Sequence, residues 1–494
     1  MRMRRRILAP ISVILASLVL AGGCAVGPDF HRPAPPSGPA GYLKAPLAPA
    51  AAGGLAQSFE AGADLPGQWW TLYQSPALNR LVAEALKANP DVAAAQAALR
   101  SAHETYLAQR GALLPTVDLG ANVSREKASG ALSPPLSSSQ LLFNLYNAQV
   151  NVGYAPDVFG GIRRQTETVA AQAEAQRFTT EATYLTLTAN LVTAAIQAAG
   201  LKEQVKAAET AIRDEASILV LVGRQRDLGQ ASGGDVAAQE ALLAQAEQAL
   251  PPLRKQLAQT EDQIAALTGR SPAEATDDDI SLGDLTLPAA LPVSLPARLV
   301  EQRPDVRIAE ANLHAASAQV GVAIAARLPG VSLSASAGGN STNIGGVLTQ
   351  PNSFWTVGAG LSQPIFEGGA LYHKQRAAEA SLEQAKAQYR STVISAMQNV
   401  ADSLQALAAD ADALNAADRA VRSAEASLTI ARKQLEVGEG SGIGLLNAEQ
   451  AHAQALLALA QARANRYADT AALFQALGGG WWNRSDISPK LAKD

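Results

Sequence analysis

Asn89-Pro90-Asp91-Val92, a helix-like stretch, and Leu114-Pro115-Thr116-Val117-Asp118-Leu119 return later in the chain as Arg303-Pro304-Asp305-Val306, a similar stretch, and Leu328-Pro329-Gly330-Val331-Ser332-Leu333. Pro90 and Pro304 stand 214 residues apart, as do Pro115 and Pro329, so the match is a register and not a loose likeness. Later matches slip by a few residues, as small insertions would cause: Val152-Gly153 with Val357-Gly358, Phe159-Gly160-Gly161 with Phe366-Glu367-Gly368-Gly369, Leu228-Gly229 with Val437-Gly438. A solenoid repeats every 20–50 residues or so, much less than this. The period predicts a duplicated half, each copy reading helix, two strands, very long helix, tight turn, helix. The expected domains are 67–269 and 297–480, joined by a Pro- and Asp-rich connector over 270–296 and followed by a tail over 481–494.

Composition agrees with long helices. Of 494 residues 48% are hydrophobic but only 4% aromatic, and alanine dominates. Few aromatics and much alanine favour helices packed closely side by side over one large globular core. Alanine also has the best helix propensity. The net charge is −4, and removing the four arginines of residues 1–23 takes it to −8 (−4 minus 4). Neither value suits a nucleic-acid partner, which needs a basic patch.

Residues 1–23 read as a secretion signal. Arg2, Arg4, Arg5 and Arg6 make the positive start, and Ile11 to Leu20 an apolar run too short to span a bilayer as a helix. Gly22-Gly23 then precede Cys24, the one cysteine, which has no disulfide partner in the chain. Elsewhere such a cysteine would be a small buried hydrophobe. Directly behind a signal's small residues, it is expected to be the cleavage and lipid-attachment site. Ala21 stands where lipoprotein signals usually carry leucine, and no Asp follows Cys24, which favours sorting to the outer membrane. Residues 24–66, rich in Pro, Ala and Gly, are expected to be an extended, loosely structured, lipid-anchored segment.

After Pro115 the apolar period changes from helical to two. Val117, Leu119, Ala121 and Val123 alternate with Thr116, Asp118, Gly120, Asn122 and Ser124. The same alternation recurs over about 142–156, 330–338 and 353–363, where Trp355, Val357, Ala359 and Leu361 face away from Thr356, Gly358, Gly360 and Ser362. Half-buried strands of a soluble sheet would alternate in this way. The segments are about ten residues long, with small, mostly uncharged polar faces and aromatics at their ends, as in membrane β-barrel strands. Four strands cannot close a barrel, and open edges are not tolerated in lipid. Several chains must therefore share one barrel, and three give about twelve strands, a size that barrels adopt.

Ile162 to about Arg226 and Ala370 to about Leu435 contain no proline. At ~1.5 Å per residue each helix could reach roughly 100 Å. Stretches such as Ala377 to Ala387 put small residues on one stripe and charges on another, as coiled-coil neighbours do. The helices turn at Leu228-Gly229-Gln230-Ala231-Ser232-Gly233-Gly234 and at Val437-Gly438-Glu439-Gly440-Ser441-Gly442, and Pro251-Pro252 is expected to interrupt the first return helix. The fold class is therefore an α+β membrane protein: a trimeric 12-stranded β-barrel continuous with a long α-helical coiled-coil barrel, with an internal two-fold repeat.

Catalytic motifs do not assemble. Gly438, Gly440, Gly442 and Gly444 imitate a phosphate loop, but Ile443 occupies the sixth position of G-x-G-x-x-G and no strand precedes it. His31, His103, His314, His373 and His452 are scattered, without H-E-x-x-H or cysteine partners. No enzyme activity, metal or cofactor is expected beyond the covalent lipid on Cys24, and three methionines with one cysteine argue against soft-metal binding.

Three stretches carry a resemblance to a known family: Cys24-Ala25-Val26-Gly27-Pro28-Asp29-Phe30-His31-Arg32-Pro33, Leu295 to Arg307 and Ala476-Leu477-Gly478-Gly479-Gly480-Trp481-Trp482. Over essentially the whole mature chain it resembles the TolC-like outer-membrane efflux family, in its lipoprotein branch of the NodT/OprM type. The resemblance implies a homotrimer in outer-membrane lipid, extending into the periplasm. It also implies two partners, a periplasmic membrane-fusion adaptor and an inner-membrane RND transporter that supplies the energy. In such proteins the tips carry a Val-Gly-type motif for the adaptor, matched here by Leu228, Gly229 and Ser232 and by Val437, Gly438 and Ser441. The glycines could equally serve the turns alone. The family's periplasmic aperture has an apolar ring, which falls on Ile443, and acid rings, which fall on Gly444 and Asn447, so this chain departs from the pattern. Asp235 stands at the equivalent place in the first half and is either a polar ring or a helix N-cap. The implied function is passive conduction of drugs or other small toxic compounds. The rivals are an outlet for type I protein secretion and a structural envelope coiled coil, against which the amphipathic strands argue.

Overall fold

The computed structural model describes residues 25–34, 42–43, 50–52, 55–127, 142–274, 280–294, 296–437, 439 and 442–484. The signal over 1–23 and Cys24 lie outside them. Along the chain come β1 (Ala50–Ala52), β2 (Leu55–Ala61), α1 (Pro76–Ala88), α2 (Pro90–Gly111), β3 (Thr116–Lys127), β4 (Leu142–Tyr154), α3 (Gly161–Asp227) and α4 (Gly233–Leu267). Then follow β5 (Ala290–Val293), α5 (Pro296–Gln302), α6 (Pro304–Ala325), β6 (Gly330–Ser341), β7 (Ser353–Ser362), α7 (Ala370–Glu436) and α8 (Gly442–Ala476). Lengths pair off: α2 and α6 have 22 residues each, α3 and α7 67 each, α4 and α8 35 each.

The two Pro-Asp-Val stretches each do one local job. Proline opens α2 and α6, where its missing N–H costs nothing. Ahead of α2, Asn89 Oδ1 accepts from Asp91 N–H (2.8 Å) and Val92 N–H (3.2 Å), and Asn89 Nδ2 donates to Leu267 O at the end of α4 (3.0 Å). Ahead of α6, Arg303 takes that place. Its guanidinium donates to both oxygens of Asp305 (2.9 and 2.6 Å) and to Ala476 O at the end of α8 (3.0 Å). Different side chains thus tie the end of each return helix to the same motif.

The chain divides into two compact units. One holds the described residues of Met1–Arg32, Arg100–Gln176 and Ala309–Tyr389; the other holds those of Pro33–Leu99, Arg177–Ile308 and Arg390–Asp494. The first unit carries a sheet in the order β3-β4-β6-β7, all antiparallel. Val117 pairs with Val152, Val150 with Ala337, and Ala335 with Val357. Large apolar side chains on β3 and β7 stand in the open in the single chain, Leu119 at 81% and Trp355 at 76% exposure.

The same unit docks residues 25–32, where the sequence suggests a loose segment. Val26 N–H donates to Phe159 O (3.1 Å), Arg164 clasps Asp29 (2.6 Å), Phe30 stacks on His314 with centroids 4.3 Å apart, and Arg32 pairs with Glu310 (3.0 Å). These partners lie more than a hundred residues away, so no local periodicity announces them. Gly27 has φ +95°, and a Cβ there would lie 2.4 Å from Gly321 Cα, so the strap needs glycine at this point.

The second unit is helical, with a small sheet in the order β1-β2-β5. β2 pairs in parallel with β5, which lies in the stretch expected to be a connector. Trp69, Tyr73, Leu78, Leu191, Ile196, Leu299 and Phe474 are buried. Positive φ at Gly478, Gly479 and Gly480 turns the chain so that Trp481 Nε1 donates to Gln302 O (2.6 Å) and Trp482 Nε1 to Asp64 (3.0 Å). Contrary to expectation, α4 runs through Pro251 and Pro252 without a break. Two adjacent N–H groups are lost, but Glu247 and Gln248, whose carbonyls they would have met, are exposed and can be solvated.

Candidate functional site at the helical tips

Each long helix ends in the same backbone closure. At the first tip Gln230 N–H donates to Gln225 O (2.8 Å) and Gly229 N–H to Arg226 O (2.9 Å), a Schellman turn. At the second tip Glu439 N–H donates to Gln434 O (2.9 Å). Gly229 has φ +77°, and an added Cβ would meet nothing within 4 Å. The glycine is therefore demanded by backbone conformation and not by crowding. Gly229→Val is expected to cost about 1–2 kcal/mol in denaturant unfolding, and Gly229→Asn much less, because asparagine tolerates the left-handed region. Equal losses for both would instead point to steric crowding at the turn.

Leu228 is 74% exposed and Val437 69%, so the single chain leaves one large apolar side chain uncovered beside each turn. Ser232 caps α4: its Oγ accepts from Asp235 N–H (3.1 Å), and Asp235 Oδ2 accepts from Ser232 N–H (2.7 Å). This reciprocal pair is a capping box. The Ser232 N–H and hydroxyl hold the exposed Asp235 carboxyl below the usual carboxylate range. Asp235 thus acts as a cap in this geometry. Asn447 is exposed in the second turn of α8, and Ile443 lies in its first turn. Gly438, Ser441, Cys24 and the side chain of Ile443 lie outside what is described.

Below the turns, Ile218 and Val222 of α3, Leu428 of α7, and Leu445 and Ala448 of α8 form a buried cluster, with Ala231, Val236, Ala431 and Leu435 packed against it. Beside it lie buried polar residues that sequence reasoning missed: Glu215, Gln239 and Glu449. One signal was present. Glu449 follows Leu445 by four residues and Ala448 by one, so it falls on the apolar face of α8. Among the described residues, no three His, Cys, Asp or Glu side chains gather as a metal site.

A protein-family model described as outer membrane efflux protein matches residues 81–270 and 295–479. The pyoverdine export outer membrane protein OpmQ of Pseudomonas putida is 29% identical over 421 residues, covering 84% of this chain and 89% of that protein. The toluene efflux pump outer membrane protein TtgF of Pseudomonas putida is 27% identical over 479 residues, covering 95% and 97%. Among solved structures, the outer-membrane channel OprN superposes with a TM-score of 0.84 at 28% identity, over 93% of this chain and 100% of that one.

Proposed function

The chain belongs to the outer membrane efflux protein family, and from that premise we propose that it is the exit duct of a tripartite pump for small toxic compounds. It is an efflux channel of the outer membrane. The proposed assembly is a homotrimer whose three sheets close one twelve-stranded barrel continuous with an α-helical barrel of repeated halves, with a lipid on Cys24. The observation that carries it is the sheet β3-β4-β6-β7, in which β3 and β7 each pair on one side only among the described residues of the chain. Lipid offers such edges no hydrogen bonds, so copies of the chain must supply them.

The substrate class follows the relatives. One exports pyoverdine and another toluene by their names, both small organic compounds. The chain contributes a path and no energy, so an inner-membrane RND transporter and a periplasmic adaptor complete the pump. Leu228, Gly229, Ser232, Val437, Gly438 and Ser441 are the proposed adaptor contacts, supported by the exposed apolar residues beside each turn. Ile443, Asp235 and Asn447 are the proposed aperture residues.

A photoreactive residue at the exposed Glu439, placed in native envelopes, is expected to capture an adaptor that co-purifies with a proton-driven exporter. An adaptor of an ATP-driven protein exporter would transfer the chain to protein secretion. Capture of no adaptor would remove the tripartite assignment.

A further inference from the structure

Beneath the tips, α3, α4, α7 and α8 bury more acid than base. Glu449 is 5% exposed, and among the described residues neither of its carboxylate oxygens has a hydrogen-bond partner closer than the long approach of Arg432. Arg432 of α7 stands 3.5 Å from Glu449 and 3.6 Å from Asp214, so one guanidinium is divided between two acids. Glu215 of α3 is buried too, and Gln239 of α4 donates its amide both to the Glu215 carboxylate and to the Glu215 carbonyl (3.2 Å). The charged groups that bear on Glu449 are thus Glu215 and Asp214 from α3 and Arg432 from α7, while α4 presents the neutral Gln239.

We propose that Glu449, set against Glu215 and Arg432, is a proton-operated latch on the tips: protonated, it keeps α7 and α8 packed on α3 and α4, and ionised, it loosens them and favours opening. The latch rests on the channel reading above.

Two separate features point to it. The first is geometric. An ionised Glu449 would be a buried charge met only by the long, shared contact with the half-exposed Arg432, which offsets little of the cost of burying it. It lies next to Ala448, a member of the apolar cluster that holds the four helices together under the turns, so a charge appearing there acts on that packing. The second is electrostatic. Burial first, then the charge of Glu215, push Glu449 up from 4.5 to about 7, with Arg432 pulling the other way. Burial raises Glu215 as well, against the hydrogen bond from Gln239. The sign follows from linkage. A carboxyl raised in the packed state stabilises that state fully below 4.5, and the contribution is lost as pH rises through about 7.

The test is single-channel recording of the full-length protein in planar bilayers from about pH 5 to about pH 8, the span of that loss. The open fraction of the wild type is expected to rise with pH, by up to about tenfold per unit for each proton coupled to opening. Glu449→Gln, permanently neutral, should stay mostly closed with a flat profile. Arg432→Gln removes the opposing charge and should move the opening midpoint to higher pH, a readout that does not depend on how well the Glu449 variant folds. The exposed Glu247→Gln should keep the wild-type profile. A wild type with a flat profile, a Glu449→Gln profile that tracks the wild type, or a midpoint unmoved in Arg432→Gln would overturn the latch. A wild type that conducts no ions at any pH would overturn the channel reading instead.

Discussion

Gly200→Leu is expected to cost a large share of the stability of the helical unit. Gly200 lies within α3 and is buried, and a Cβ built there would stand 2.5 Å from the Ala464 Cβ of α8. Real Cβ atoms do not approach so closely, so even alanine requires the two helices to shift. Leucine adds three more carbons in the same direction. Overpacking of this kind costs about 1–3 kcal/mol in cores that can adjust, and more where two helix backbones must separate. Ile196 and Ala199, both fully buried nearby, leave little room for relief. The measurement is thermal unfolding of the detergent-solubilised protein. Gly200→Ala should lose less, and Ala464→Gly in the same chain should restore it. Gly223, in the same helix, supplies the contrast: a Cβ there meets nothing within 4 Å. Gly223→Ala should stabilise by about 0.4–1 kcal/mol, because the unfolded chain loses freedom at no cost to the helix. A Gly200→Leu protein as stable as the wild type would show that α3 and α8 do not depend on this close approach.

The second large effect is expected on β7. Val357 pairs with Ala335, is 71% exposed in the single chain, and shares its face with Trp355 and Leu361, both at least 75% exposed. The opposite face carries Thr356, Gly358 and Gly360. If that apolar face meets lipid, an arginine near the middle of the strand costs about 2–4 kcal/mol, repeated in every chain of the assembly. Val357→Arg should therefore sharply reduce the amount of folded protein recovered from outer membranes. Thr356→Arg, one residue away and on the opposite face, which would then line a lumen, should be recovered at near wild-type levels, because water would solvate it there. Equal recovery of the two would mean that the faces are wrongly assigned, and equal loss of both would fit a sheet buried on each side.

Much of the architecture could be read locally. Alternation at Val117, Leu119 and Val123, and again at Trp355, Val357 and Leu361, reports strands, because successive side chains of an extended backbone point to opposite faces. Long proline-free runs report helices, and Gly229 reports a tight turn, because the left-handed conformation excludes most side chains. These signals arise from a residue and its near neighbours, so a single chain without relatives carries them in full. The element lengths, the turn positions and the amphipathic faces belong to this class.

The pairing of distant segments belongs to another. Nothing in the sequence says that β4 lies between β3 and β6, with Val150 opposite Ala337, or that β2 and β5 align in parallel. Nor does it say that Asn89 and Arg303 would find the carbonyls of Leu267 and Ala476, or that residues 25–32 would be docked against Arg164, His314 and Glu310. Gly200 reads as a weak point in a helix until Ala464 is seen against it. Pro251-Pro252 reads as a break until the carbonyls it deprives are found facing water. Glu449 is one more acid in an alanine-rich helix until its burial beside Glu215 makes its proton consequential. Periodicity and turn chemistry are properties of the chain's own backbone, whereas burial, close approach and the field at a carboxylate are set by atoms tens to hundreds of residues away.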